Sequence, residues 1–89
     1  MKLLKFYTTH CIQCQHQTKL LDGFTEVEVV SMDCDKHEDL VKKYGIRSVP
    51  TLVLIDEEVL VHKFIGMTKP DVIIDIINNY NRTKNERDC

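Results

Sequence analysis

The sequence predicts an α/β fold, a four-stranded mixed sheet with helices on both faces. Three features lead there. At 89 residues the chain has room for one domain. Its 43% hydrophobic and 29% charged residues are those of a globular chain. Its apolar patterning runs in the order β-α-β-α-β-β-α. A strand, a helix and a strand in succession call for a parallel pair joined by a right-handed crossover, whereas a late hairpin adds antiparallel strands.

Each element has its own signal. Residues 2–8, "KLLKFYT", form a short apolar run with an aromatic end, a strand. From Cys11 to Asp22 there is no Gly or Pro, and Gly23 follows as a stop, so this segment is a helix. Residues 26–32, "EVEVVSM", alternate and are rich in valine, a second strand. Asp35 with Glu38 three residues on reads as a capping box, opening a helix that carries Leu40, Val41 and Tyr44 and stops at Gly45. "TLVLI" (51–55) and "VLVHKFI" (59–65) flank the polar turn Asp56-Glu57-Glu58, a β-hairpin. Thr68 is placed to cap a last helix, with Pro70 in its first turn and Asp71 at its third position. Val72, Ile73, Ile76, Ile77 and Tyr80 recur at the spacing of one helical face. Beyond Tyr80 the residues are polar and aperiodic, so the domain is expected over 1–81 and a frayed tail over 82–89.

The bulk numbers exclude some functions. A net charge of -2 gives no basic face for nucleic acid. No apolar run approaches the roughly 20 residues that span a membrane. The opening "MKLLKFYTT" is too short and polar for a signal-peptide core, which makes the cytoplasm the expected compartment. Thiols stay reduced there, so four cysteines point to catalysis or metal rather than to structural disulfides.

The chemistry concentrates in "TTHCIQCQHQTK", residues 8–19. Cys11 and Cys14 lie just beyond the first strand, at the start of a helix, where functional groups gather in such sheets. The spacing suits a redox couple. It also suits half of a zinc site, because Cys34-x2-His37 follows after 19 residues. Against zinc, each pair is joined to an amphipathic helix rather than set in a loop-rich knuckle.

Two stretches together resemble the thioredoxin family: the Cys11-Ile12-Gln13-Cys14 motif at the strand-to-helix junction, and "YGIRSVPTLVLI", residues 44–55. Gly66 and the "MTKPDVIIDII" helix match the family's end, so the resemblance covers nearly the whole chain. It implies a minimal thioredoxin-like fold without the family's first strand and helix, and a thiol–disulfide oxidoreductase that reduces protein disulfides as a monomer. Cys11 would be the nucleophile and Cys14 the resolving residue. Val49 and Pro50, joined by a cis bond, would shape the substrate groove, with Arg47, Ser48, Gly66 and His10 at its border. No cofactor is implied beyond the redox-active disulfide, and electrons would come from NADPH through thioredoxin reductase or from glutathione. A glutathione-dependent, glutaredoxin-like enzyme is the alternative, although "IGMTKPD" poorly matches the Gly-Gly and acidic pair that glutaredoxins use. A redox-inactive module of the same fold is a further one.

The chain departs from the family's pattern in places. His10 replaces the usual Trp before the first cysteine, and Ile12-Gln13 replaces Gly-Pro. A protonated His10 would help a Cys11 thiolate, but an exposed histidine is mostly neutral at pH 7. Six residues before Cys11, where thioredoxins bury an Asp, stands Lys5. Its charge would favour a Cys14 thiolate, unless the side chain snorkels to solvent. Cys34 is expected at a strand end on the active edge of the sheet, as a small packed residue or as a third thiol near the site, and Cys89 in the tail.

Overall fold

The computed structural model describes residues 1–87. The seven elements are β1 (Lys2–Tyr7), α1 (Ile12–Leu20), β2 (Glu28–Asp33), α2 (Glu38–Lys43), β3 (Thr51–Asp56), β4 (Val59–Ile65) and α3 (Pro70–Arg87), in the expected order. The sheet runs β2-β1-β3-β4. β1 pairs parallel with β2 and antiparallel with β3, and β3 pairs antiparallel with β4.

Strand periodicity sorts the core into two layers. Successive side chains of a strand point to opposite faces. Leu3, Leu52, Leu54 and Phe64 accordingly join Leu21, Ile73 and Ile77 on the side covered by α1 and α3. Leu4, Phe6 and Val53 pack on the other side with Leu40, Val41 and Tyr44 of the α2 region. Helices therefore cover both faces. β1 and β3, the central strands, are buried on both, and Leu3, Phe6, Leu52, Val53 and Leu54 are fully enclosed.

Four local expectations are corrected. α2 begins at Glu38 with His37 at its cap, and no side chain caps it. The Asp35 capping box is not formed because Asp33 takes the preceding backbone: its Oδ1 accepts from Asp35 N at 2.9 Å, and its carbonyl accepts from Lys36 N and His37 N. Nor does Thr68 cap α3. Its hydroxyl donates to Gly66 O, and the Lys69 carbonyl accepts the first helical bonds from Val72 N and Ile73 N. On α3, Ile73 and Ile77 fill the core while Val72 is 46% exposed, at the edge of the apolar stripe. Finally, the helix continues past Tyr80 to Arg87 rather than fraying after it. An i, i−3 bond from Arg82 Nη2 to Asn79 Oδ1 supports that extension locally, without any apolar stripe. Cys89 lies outside the described residues.

The end of α2 sets up the loop that leads to Pro50. Gly45 has φ +63°, its N–H donates to Lys42 O, and Ile46 N donates to Val41 O at 2.9 Å. These are the two bonds of a Schellman stop, and the left-handed residue they need is a glycine. The chain thereby turns back toward β1.

Candidate active site

α1 begins where β1 has run out, and Cys11 is its N-cap. The Cys11 backbone is extended (φ −96°, ψ 108°), and its sulfur accepts a hydrogen bond from Cys14 N at 3.1 Å. That sulfur occupies the position where a capping oxygen usually sits, facing helix N–H groups that have no helical partner. The first turn of α1 contains no acidic residue to offset the positive end of the helix dipole. A thiolate at Cys11 is favoured here by geometry alone.

Cys11 and Cys14 are joined as a disulfide, with Cα atoms 5.2 Å apart. Cys11 is half-buried and Cys14 is buried. An incoming molecule therefore meets Cys11 first, and the i, i+3 spacing puts Cys14 one turn deeper on the same side.

The pair opens onto a cleft of about 410 Å³ lined also by Lys5, Tyr7, Thr8 and Thr18. Lys5 does not snorkel. It is 9% exposed, and its Nζ donates to Thr18 Oγ1 at 2.9 Å, while that hydroxyl donates to Cys14 O at 3.1 Å. Burial lowers the Lys5 pKa from its ordinary value.

Thr8 is shared with a second, smaller cleft of about 220 Å³ whose walls include Cys34, Arg47, Ser48 and Val49. The structure thus brings the 47–49 loop next to the cysteine cleft. The Val49–Pro50 bond is cis and Pro50 is buried. Gly66, at φ +83°, donates its N–H to Pro50 O at 3.0 Å, which ties the β4–α3 loop to the same region. His10 is exposed in the turn before Cys11 and does not line the cysteine cleft.

Cys34 is half-buried against the Leu4, Phe6 and Val53 cluster. Burial, and then the carboxylates of Asp33 and Asp35, push its thiol pKa up. It is a packed thiol rather than an activated one. Among the described residues no group of three or more His, Cys, Asp or Glu side chains comes together as a metal site, so the zinc-like spacing does not become a cage.

One residue that holds the site together had no signal in the sequence. Gln17 is fully buried, and its amide makes a reciprocal pair with Thr68: Nε2 donates to Thr68 O at 2.9 Å, and Oε1 accepts from Thr68 N at 2.7 Å. The cysteine helix is thereby latched to the loop that carries Gly66. Replacing Gln17 with Leu leaves both Thr68 groups without partners. Each such group costs about 1–3 kcal/mol when fully buried. Neighbouring Met67 is exposed and lets water approach this loop, so a loss of about 2–3 kcal/mol is expected in urea unfolding.

Comparison with known proteins adds relatives to this geometry. The thioredoxin family model matches residues 1–79. Thioredoxin of Mycoplasma genitalium is 30% identical over 81 residues, covering 86% of this chain and 79% of that protein. A thioredoxin-like protein of Synechocystis is 32% identical over 77 residues, covering 81% and 73%. Among solved structures, a mutant thioredoxin from Halobacterium salinarum superposes with a TM-score of 0.78 at 32% identity, covering 89% of this chain and 73% of that one.

Proposed function

This chain belongs to the thioredoxin family, and from that premise we propose that it reduces protein disulfides by dithiol exchange through Cys11 and Cys14. One observation carries the reading: the two cysteines are within bonding distance at a helix start, with Cys11 half-buried at the mouth of a cleft and Cys14 buried.

The steps follow from that asymmetry. The Cys11 thiolate attacks one sulfur of a substrate disulfide. A bond forms between Cys11 and that sulfur, and the other substrate sulfur leaves as a thiolate that takes a proton from solvent. The Cys14 sulfur, after losing its proton, attacks Cys11. The mixed disulfide breaks and the second substrate sulfur departs. Two electrons have passed to the substrate, and the protein is left as the Cys11–Cys14 disulfide. The groove at Val49 and Pro50, with Gly66 and His10 at its border, would receive the substrate chain on either side of the reacting sulfur.

Two donors suit the return to the dithiol: thioredoxin reductase with NADPH, or glutathione. A reducing compartment such as the cytoplasm suits either, with the protein acting as a monomer. Turnover of insulin disulfides with each donor system, run separately, tests the reading. Activity with thioredoxin reductase and NADPH is expected. Activity with glutathione alone would move the chain to the glutaredoxin-like alternative, and turnover with neither would overturn the proposal.

A further inference from the structure

Lys5 occupies a core position. It alternates with Leu4 and Phe6, which face α2, and so shares the α1 side of the sheet with Leu3. Its neighbours across the strands are Ser31 on β2 and Leu52 on β3, neither of which carries charge. Among the described residues its one hydrogen-bond partner is the neutral Thr18 hydroxyl, and no carboxylate pairs with it. A buried ammonium in such surroundings lacks a counter-ion, and burying a charge is costly without one.

The cleft it shares with the cysteines supplies a candidate. The titratable groups there are Lys5 and Tyr7 from β1 and Cys11 and Cys14 from α1; β2 lines the cleft with Ser31, and its Asp33, opposite Tyr7, lies outside the lining and accepts from Asp35 N. The Cys11 sulfur caps the start of α1, so a thiolate of the reduced pair is the anion this cleft is built to hold. As a disulfide the pair carries no charge. When reduced, it does.

We propose that Lys5 is a redox-linked positioning residue, the counter-ion of the thiolate that appears over it when the Cys11–Cys14 disulfide is reduced. This rests on the pair being redox-active. Two electrons from a donor dithiol break the S–S bond, and the donor becomes a disulfide and releases two protons. With the Lys5 ammonium in place, the pair retains one of these and carries one negative charge shared between its sulfurs, and the other proton passes to solvent. Without that ammonium the pair ionises at higher pH, so it keeps both protons over a wider range. Linkage makes the effect reciprocal: Lys5 favours the reduced, ionised pair, and the ionised pair raises the proton affinity of Lys5. The lowered Lys5 pKa of the disulfide state is the starting point for that rise.

The test is Lys5→Met, with Lys5→Arg as the variant that keeps the charge. The first thiol ionisation, followed by thiolate absorbance, is expected about one pH unit higher in Lys5→Met and near the original value in Lys5→Arg. The disulfide–dithiol equilibrium against a reference dithiol should agree between the unaltered chain and Lys5→Met at pH 5.5. By pH 8.5 the unaltered chain should lie about tenfold further toward the dithiol, the same factor as one unit of pKa. A uniform change at every pH would mark a merely structural role and overturn the proposal, as would superimposable curves. The unaltered chain offers a second readout that does not depend on folding of a variant. The Lys5 ε-carbon resonance should titrate at higher pH in the reduced than in the oxidised protein, and equal titration in both states would overturn the inference. If the unaltered pair fails to equilibrate with the reference dithiol at all, it is the redox reading of the site that falls.

Discussion

Cys11→Ser is expected to reduce disulfide turnover to the uncatalysed background, with the fold intact. A serine hydroxyl keeps its proton at neutral pH and cannot supply the anion that attacks sulfur, however well the helix start would stabilise one. Cys11 is an N-cap, and serine is among the preferred residues there, so the substitution keeps the capping bond to Cys14 N and should cost little stability. Cys14→Ser separates the two steps. Its Cys11 can still attack, but nothing on the buried side resolves the product, so a covalent complex with the substrate should accumulate and be visible by non-reducing electrophoresis. Equal and partial activity in both variants would mean that the sulfurs do not hold distinct roles.

Phe6→Ala should have the largest effect on stability. Phe6 is fully buried on a central strand, and its ring meets the Tyr44 ring edge-on at 6.4 Å between centroids. Truncating a phenylalanine in a packed core costs about 3–5 kcal/mol, from lost transfer energy and the cavity left behind. A domain of this size is stable by roughly 5–15 kcal/mol in all, so the variant loses about a fifth of that or more. Thermal unfolding should move down by about 12 °C or more, at roughly 4 °C per kcal/mol for the upper end of this size range. Val59→Ala, at a site 59% exposed, is the control and should change stability by no more than about 0.5 kcal/mol. A Phe6 variant as stable as that control would mean the α2-side core is not packed as described.

The sheet and the cysteine site were legible because their signals are local. Apolar runs in β1 and β3, alternation in β2, a hairpin turn of three acidic residues, and a helix without Gly or Pro after Cys11 all act over a few neighbours. What the sequence hid acts at a distance or between competing local choices. Gln17 reads as one polar residue among several on α1, which is less amphipathic than the sequence argument against zinc expected, and its partner Thr68 is 51 positions away. Asp35 has the spacing of a capping box, and only the turn that Asp33 forms with the following backbone rules it out. The side of the sheet that Lys5 faces follows from strand alternation, but whether a lysine there reaches water depends on α1 closing over it. The end of α3 was missed because residues 81–87 are polar and aperiodic, so no apolar stripe reports the helix there.

Whether the Cys11 and Cys14 sulfurs trade electrons as one unit can be measured directly. The protein is equilibrated with graded ratios of reduced and oxidised dithiothreitol, quenched in acid and alkylated, and the peptide spanning both cysteines is weighed. The two thiols are expected to appear together across a single two-electron transition, with Cys34 alkylated after unfolding at every ratio. Peptide carrying two alkyl groups under the most oxidising conditions, or the two sites changing at separate ratios, would contradict it.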